Sequence, residues 1–308
     1  MDKISIIVPC FNEEKVLPLF YKEINMVIKH LEKVEFEIIF VDDGSRDRTL
    51  EIIKDYSSKN SKFRYISFSR NFGKEAAMYA GLKESIGDYV AIMDADLQDP
   101  PKLLIEMYDI VSNSDYDCVA TRRVTRSGEP PIRSFFARLF YKLINKISKA
   151  DIVDGARDFR LMTRQMVDSV LSIQEYNRFS KGIFGWIGFK TKWLEYENIE
   201  RAAGETKWSF WKLFLYSIEG IVAFSTFPLV LPFIFSFIFF VLFLVFLIWG
   251  LLISSGTFIV SSFVLISTCV ILALLGVMSL YLSKTYTEIK NRPIYIIREE
   301  SKRRGNKK

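Results

Sequence analysis

The amino-acid sequence predicts an α/β domain with a mostly parallel sheet, followed by an interfacial helix and a two-helix transmembrane hairpin. Two observations lead to this prediction. Residues 1–205 alternate short β-branched runs with amphipathic stretches, which is typical of parallel strands joined by helices. Residues 220–283 contain no Asp, Glu, Lys or Arg, which is rare outside a membrane.

The predicted strands are short apolar runs at residues 5–8, 37–41, 64–68, 89–93 and 117–121. Amphipathic stretches near 13–30, 47–58, 74–85 and 101–112 fill the intervals and predict helices. After Thr121 the alternation stops and a basic stretch, 122–148, begins. Its second half has helical periodicity and is either an ordinary packed helix or a basic helix on the membrane surface.

Two apolar stretches, residues 229–253 and 257–282, are each about 25 residues long. At ~1.5 Å per residue, either one can cross a ~30 Å hydrocarbon core. Lysine and arginine flank the pair on both sides and are absent from the turn between them, so the positive-inside rule places both ends in the cytoplasm. A buried helical pair in a soluble core is the alternative.

The chain therefore divides into four predicted parts. Residues 1–205 form the cytoplasmic α/β domain, 206–226 the interfacial helix and 227–283 the transmembrane hairpin. Residues 284–308 follow as a cytoplasmic β-segment and a basic tail, and the β-segment (289–299) could pair with the α/β domain or with another protomer. We expect a multi-pass protein of the inner or plasma membrane that forms a homo-oligomer.

Residue usage excludes several catalytic classes. His30 is the only histidine, which excludes Ser-His-Asp, Cys-His and HExxH chemistry. The three cysteines have no CxxC spacing, so neither a disulfide framework nor a zinc site is expected. The sequence has no GxGxxG or Walker loop, and its net charge of +6 includes no evident basic surface for nucleic acid. Catalysis must therefore use carboxylates, Lys, Arg, hydroxyl groups or a metal ion.

Polar residues follow the ends of four predicted strands: Asn12, Asp42-Asp43, Ser69-Arg70 and Asp94-Ala95-Asp96. Ligands bind beyond the carboxyl ends of parallel strands, so these residues should meet at one edge of the sheet. The last group belongs to "DADLQDPP" (94–101), for which a polar turn, a helix N-cap and a metal site compete. Asp99 precedes two prolines and is predicted to be an N-cap. Asp94 and Asp96 could bind one Mg²⁺ or Mn²⁺ ion, although aspartates are also common in turns.

Seven motifs follow one another along the chain: "SIIVPCFNEE" (5–14), "IIFVDDGSRDRT" (38–49), "SRNFGKEAAMYAGL" (69–82), "DADLQDPP" (94–101), "DGARDFRLM" (154–162), "RFSKGIFGWIGFK" (178–190) and "RAAGETKW" (201–208). Together they resemble family 2 glycosyltransferases. The resemblance is to the polyprenyl-phosphate branch, which includes dolichol-phosphate mannose synthases and bacterial undecaprenyl-phosphate sugar transferases. It covers essentially the whole predicted α/β domain.

The resemblance implies a GT-A-type nucleotide-diphosphosugar transferase fold and a role for individual residues. It implies contact with the nucleotide-sugar for Pro9, Asn12, Glu13, Asp42, Asp43, Lys74 and Asp94. It implies Mg²⁺ or Mn²⁺ binding for Asp94 and Asp96, with Gln98 as a further candidate. It implies phosphate contacts for Arg122, Arg133, Arg201 and Lys207, and catalytic roles for Asp96 and Asp158.

Asp158 lies where the family's base is usually proposed. An acceptor phosphate monoester has a second pKa near ~6, so it is largely anionic at neutral pH and needs no base. Asp158 therefore either orients the acceptor or neighbouring arginines, acts as a base, or forms a structural ion pair with Arg157 or Arg160.

The expected reaction is inverting, metal-dependent transfer of one sugar from a nucleotide-sugar to undecaprenyl or another polyprenyl phosphate, at the cytoplasmic membrane face. Such a product is a lipid-linked sugar donor for cell-envelope glycosylation. UDP-glucose and UDP-N-acetylglucosamine are the favoured donors, with GDP-mannose as the alternative. Two spans are too few for the export channel of a processive polysaccharide synthase. A non-catalytic membrane scaffold is the alternative of a different class.

Overall fold

The computed structural model describes residues 1–123, 153, 155–196, 218, 235, 237–242, 244–245, 248 and 256–301. The strands are β1 (Lys3–Cys10), β2 (Glu35–Asp42), β3 (Phe63–Phe68), β4 (Tyr89–Ile92), β5 (Cys118–Arg123), β6 (Ala156–Thr163), β7 (Thr191–Tyr196) and β8 (Ile297–Glu300). The helices are α1 (Leu17–His30), α2 (Thr49–Lys59), α3 (Lys74–Glu84), α4 (Leu103–Ser112), α5 (Arg164–Ser172), α6 (Ser180–Trp186) and α7 (Gly256–Ile289).

The eight strands form one mostly parallel sheet in the order β7-β5-β6-β4-β1-β2-β3-β8. The predicted α/β fold is confirmed, and the five predicted strands correspond to β1–β5. Strands β1 to β4 are parallel to one another, whereas β6 lies antiparallel between β4 and β5 and β8 lies antiparallel beside β3. Strand β7 is parallel to β5. Because β6 is reversed, its amino end lies at the edge where β4 and β5 end.

Helices cover both faces of the sheet, as the alternation of strand side chains requires. On one face, buried Ile4, Ile6 and Val8 of β1 belong to the same apolar cluster as residues of α1, α2 and α4. On the other face, Ile7 belongs to a cluster with residues of α3, α5 and α6. A Cβ added at Gly81 of α3 would lie 2.1 Å from Ile7 Cγ2. Glycine therefore allows α3 to approach the sheet closely.

A buried ion pair connects β2 and β3 near the end of α3. Arg64 Nη1 donates to Glu37 Oε1 at 2.6 Å, and Ser5 Oγ donates to Glu37 Oε2 at 2.7 Å. The Arg64 and Glu37 side chains are only 12% and 7% exposed. Loss of the guanidinium would leave a buried carboxylate without its cation.

We expect Arg64→Ala to lower the free energy of unfolding by about 3–5 kcal/mol, because an unpaired buried charge is strongly destabilising. Chemical unfolding in detergent, followed by circular dichroism, measures this loss. Arg48→Ala is the matched control, since Arg48 and Glu51 are 76% and 72% exposed and such pairs contribute about 0–1 kcal/mol. Equal losses in the two variants would contradict this prediction.

The C-terminal segment returns to the sheet of its own chain. Ile66 of β3 pairs with Glu300 of β8, and Ser301 N donates to Tyr65 O at 2.9 Å. Tyr295 stacks on Phe68 with 5.0 Å between the ring centroids. The C-terminal β-segment therefore pairs with the α/β domain of its own chain, which was the first of its two predicted partners. The homo-oligomer stays a prediction.

Helix α7 includes the second predicted span, and its residues Ile266–Ile289 are long and apolar enough to cross a membrane, by length and composition. The first predicted span lies largely outside the described residues, although positions 235, 237–242, 244–245 and 248 are helical. Most of the predicted interfacial helix and of the basic stretch 122–148 also lies outside them. The four-part division of the chain stays a prediction.

Candidate active site

The polar residues that follow the strands meet at one edge of the sheet, as predicted. Strands β1 and β2 end in register at Cys10 and Asp42. Strand β6 begins at this edge because Arg160 pairs with Ile92 of β4 and Ala156 pairs with Arg122 of β5. Residues from both ends of the α/β domain are thereby brought together.

The loops after β1 and β2 are joined by short hydrogen bonds. Asn12 has a left-handed backbone (φ 55°), and its Oδ1 accepts from Arg46 N at 2.8 Å. Buried Asp42 accepts from Ser45 N at 3.0 Å and from Ser67 Oγ at 2.8 Å. Half-buried Pro9 lies in β1 opposite Val41, and Glu13 N donates to Thr49 Oγ1 at 2.8 Å. These contacts fix the loops, and the predicted nucleotide contacts stay predictions.

Asp43 fixes the segment that leads into α3. Its carboxylate accepts from Phe72 N at 2.6 Å and from Gly73 N at 3.0 Å. Burial raises the Asp43 pKa from 3.8 to about 6, against the opposing effect of these two hydrogen bonds. Asp43 therefore positions the amino end of α3, where Lys74 is the first residue.

Because the Asp43 pKa is raised, the difference in unfolding free energy between the wild type and Asp43→Asn should depend on pH. The folded state holds the Asp43 proton more tightly than the unfolded state, so ionisation costs stability as the pH rises from about 4 to 6. Relative to the variant, the wild-type unfolding free energy should fall by about 3 kcal/mol in total, about 2 kcal/mol of it between pH 4 and 6, since one pKa unit equals about 1.4 kcal/mol. Unfolding curves at pH 4.5, 5.5 and 7.5 measure the difference. Parallel pH dependences would contradict the prediction.

Lys74 connects two carboxylates that come from different motifs. Its Nζ lies 2.7 Å from Asp94 Oδ1 and 2.5 Å from Asp158 Oδ2. Burial lowers the Lys74 pKa, but the charges of Asp158 and Asp94 outweigh burial and raise the pKa above its usual value. Burial likewise raises the Asp158 pKa, but Lys74 and then Lys181 outweigh it and hold the pKa below its usual range. Lys74 and Asp158 are therefore both charged at neutral pH.

The predicted ion pair of Asp158 with Arg157 or Arg160 is wrong, because Asp158 pairs with Lys74. Arg157 Nε donates to Asp99 at 3.0 Å instead. Arg160 is 3% exposed, and its guanidinium lies 3.6 Å from the Phe184 ring centroid. Successive side chains of β6 thus have different partners.

The loop after β4 contains the remaining predicted metal ligands. Asp96 is half-buried, and its Oδ1 accepts from Gln98 N at 3.2 Å. Gln98 Oε1 accepts from Arg123 at 3.0 Å and from Arg157 at 3.3 Å. Gln98 would have to leave both arginines before its amide oxygen could bind a metal ion.

The predicted N-cap role of Asp99 is wrong. Helix α4 begins at Leu103 after Lys102, and no side chain caps it. Asp99 is buried and binds Arg157 Nε and the Tyr196 hydroxyl. Asp99 therefore supports the strand that carries Asp158, because its buried carboxylate forms an ion pair with Arg157 of that strand.

The donor set at this edge fits a hard divalent cation that is shared with a ligand. Asp94 and Asp96 offer carboxylate oxygens two residues apart, which Mg²⁺ and Mn²⁺ prefer. In the described part of the chain, no group of three or more His, Cys, Asp or Glu residues could hold an ion by itself. A cation at these two aspartates would complete its coordination with water or phosphate oxygens.

The predicted phosphate-binding residues have mixed outcomes. Arg122 forms an ion pair with exposed Glu195, and its Nε lies 3.0 Å from Oε1. The neighbouring Arg123 binds Gln98 beside the carboxylates. The side chains of adjacent strand residues point to opposite faces, so the sequence indicated that one of the two arginines faces away from the other, but not which of them lies beside Gln98. The other predicted members lie outside the described residues: Arg133, Arg201 and Lys207.

The sequence model of the family Glycosyl transferase family 2 matches residues 5–171 of the chain. The chain is 41% identical over 303 residues to CsbB of Bacillus subtilis (strain 168), covering 96% of this chain and 91% of that protein. It is 39% identical over 328 residues to the bactoprenol glucosyl transferase of Shigella phage SfII, covering 99% of each. The crystal structure of glucosyl-3-phosphoglycerate synthase from Mycobacterium tuberculosis with phosphoglyceric acid has the same fold (TM-score 0.50, 19% identity, 72% of this chain and 78% of that chain). The chain therefore belongs to glycosyl transferase family 2, is a glycosyltransferase, and groups with the polyprenyl-phosphate branch of that family.

Proposed function

We propose that the protein transfers one glucose from UDP-glucose to a polyprenyl phosphate. The observation that carries this proposal is the meeting of Asp94 and Asp158 at the Lys74 ammonium, at the edge where parallel sheets bind ligands. The phage relative named a bactoprenol glucosyl transferase, which is similar over its whole length, supports glucose and a polyprenyl acceptor. N-acetylglucosamine from UDP, and mannose from GDP, are the alternatives.

Asp94 and Asp96 would hold a Mg²⁺ or Mn²⁺ ion in this reaction. A divalent ion supplies positive charge that neutralises the departing diphosphate. Arg122, Arg133, Arg201 and Lys207 are the chain's proposed phosphate contacts, and Arg123 and Arg157 at Gln98 add two guanidinium groups near Asp96. Such preorganised cations stabilise an anionic leaving group without reorganisation.

The acceptor phosphate is the nucleophile. One of its oxygens forms a bond to the anomeric carbon, while the bond from that carbon to the diphosphate breaks and its electron pair leaves with the diphosphate. Displacement in line inverts the anomeric centre. The acceptor is already largely anionic at neutral pH, so Asp158 orients groups at the site and does not need to remove a proton.

The acceptor never leaves the bilayer, so a membrane anchor is part of the proposal. Helix α7 supports the second predicted span (257–282), and residues 229–253 and 206–226 are proposed as the first span and the interfacial helix. The positive flanks of the spans support a cytoplasmic location for the α/β domain and both termini, at the inner or plasma membrane. A homo-oligomer is also proposed.

The test uses the full-length protein with labelled UDP-glucose, UDP-N-acetylglucosamine or GDP-mannose and undecaprenyl phosphate, with Mg²⁺ or Mn²⁺. We expect label in the lipid extract from UDP-glucose, and none after chelation or with unphosphorylated undecaprenol. Label from GDP-mannose alone would replace the donor assignment. No label from any donor, by a folded protein that still binds nucleotide, would favour the scaffold alternative.

A further inference from the structure

Lys181 is a second lysine at the carboxyl edge of the sheet. Its Nζ donates to Ala156 O at 2.9 Å, at the amino end of β6. Within the described part of the chain, no carboxylate oxygen lies within 4.0 Å of this ammonium. An ammonium group has three protons to donate, so two remain available for a ligand.

Lys181 acts on the same side of β6 as Asp158. Met162 of β6 lies in one apolar cluster with Ile183 and Phe184 of the Lys181 helix, and Asp158, four residues earlier on the strand, points to the same face as Met162. After Lys74, Lys181 is the charge that most lowers the Asp158 pKa. Lys74 and Lys181 together match the charges of the carboxylates of Asp94 and Asp158, so these four groups present no net negative charge to an incoming anion.

Lys181 is also close to the helix that we propose crosses the membrane. The Glu288 carboxylate near the end of α7 accepts from Tyr176 N at 3.0 Å. Asn177 Nδ2 donates to Thr287 Oγ1 at 3.0 Å, and Lys284 Nζ donates to Asn177 Oδ1 at 3.1 Å. Four residues of chain span at most ~14 Å, so Lys181 is within that distance of the α7 contact at Asn177.

Helix α6 holds Lys181 firmly between the two regions. Ser180 N donates to the Glu75 carboxylate at 3.1 Å, and Glu75 follows Lys74 in α3. Ile183 and Phe184 are buried in the same apolar cluster as α3. The last residue of α6, Trp186, is 59% exposed, as suits an aromatic at a membrane interface.

We propose that Lys181 binds the phosphate group of the lipid acceptor and holds it beside Asp158. The proposal rests on the proposed function and extends it to an acceptor-binding residue. Lys181 is the cation that lies both at the Asp158 strand and next to the attachment of α7. A lipid phosphate enters from that side, whereas the donor diphosphate belongs with Asp94, Asp96 and the arginines at Gln98.

The test compares full-length Lys181→Gln and Lys181→Arg with Lys192→Gln. Lys192 is an exposed lysine near the amino end of β7, at the opposite edge of the sheet. In Lys181→Gln we expect the KM for undecaprenyl phosphate to rise about 10- to 100-fold, the effect of one lost charge-assisted hydrogen bond. The KM and the equilibrium binding of UDP-glucose should not change. Arginine should restore most of the acceptor affinity, and Lys192→Gln should match the wild type.

Three outcomes would overturn the proposal: an unchanged acceptor KM, an equal loss of UDP-glucose binding, or a lower melting temperature with all parameters impaired and no rescue by arginine. A separate arm measures retention of undecaprenyl phosphate by the purified protein without donor, which needs no turnover. Wild type that retains the lipid but transfers no glucose would refute the proposed function, and the retention by Lys181→Gln would still decide the role of Lys181. Equal retention of undecaprenyl phosphate by the wild type and Lys181→Gln would contradict the proposed role of Lys181. Failure of the wild type to retain the lipid would contradict it as well.

Discussion

Replacing Asp96 by Asn should lower the rate of sugar transfer by about 10²- to 10³-fold at saturating substrates, the usual loss when a charge-stabilising group is removed from a transition state. Lys74 contacts both carboxylate oxygens of Asp94. The lysine charge therefore weakens the attraction of Asp94 for a metal ion. Asp96 would then supply much of the remaining attraction. The asparagine side chain keeps the oxygen that accepts from Gln98 N, so the loop should keep its shape.

The measurement is the initial transfer rate at graded Mg²⁺ and Mn²⁺ concentrations. We expect the variant to need a higher metal concentration for half of its own maximal rate, because one anionic ligand has become neutral. Asp55→Asn is the matched control, since Asp55 forms an exposed ion pair with Lys59 on α2. A variant with the wild-type metal dependence would show that the ion is held elsewhere.

The parts of the fold that were predictable from the sequence are those whose residues serve only the core. Strands β1 to β5 are predictable because apolar residues fill most of their length and pack against the helices. Strand β6 was not predicted as a strand because Arg157, Asp158 and Arg160 interrupt its apolar pattern. Arg160 is nevertheless buried in the sheet, with its guanidinium stacked over the ring of Phe184. No propensity argument anticipates a buried arginine in the middle of a sheet.

The candidate site was predictable as a set of motifs but not as a set of contacts. The resemblance to family 2 glycosyltransferases implied that Asp94, Asp158 and Lys74 belong to one site. It could not indicate that Lys74 binds both carboxylates, since that depends on α3 approaching β1 closely at Gly81. Lys181 was missed although it lies within the motif at 178–190, because that motif implied no role for an individual residue and only the folded chain brings Ala156 O to its ammonium.

The ion pair between Lys74 and Asp158 can be tested as a unit. We expect Lys74→Met and Asp158→Asn each to lower kcat by about 10²- to 10³-fold, because each removes one charge from the cluster of Asp94, Lys74 and Asp158. The first leaves Asp94 and Asp158 as two carboxylates with no cation between them. The second leaves Lys74 bound to Asp94 alone, where it competes with a metal ion. Lys54→Met, which breaks the half-exposed pair with Glu299, should keep the rate within about two-fold, since such pairs contribute little.

The double variant distinguishes an orienting pair from two independent catalytic groups. If Lys74 acts by holding Asp158, removal of both should cost little more than removal of the more damaging one, as residues that act as a unit are strongly non-additive. If Asp158 is a general base that works without Lys74, the two losses should multiply to about 10⁴- to 10⁶-fold.

The acid side of the pH profile of the transfer rate tests the role of Asp158 independently of the double variant. Lys74 keeps Asp158 ionised, so the wild-type rate should fall near pH ~6, where the acceptor phosphate gains its proton, and Asp158→Asn should keep that midpoint. A midpoint that disappears in Asp158→Asn would assign the proton transfer to Asp158 and contradict the orienting role.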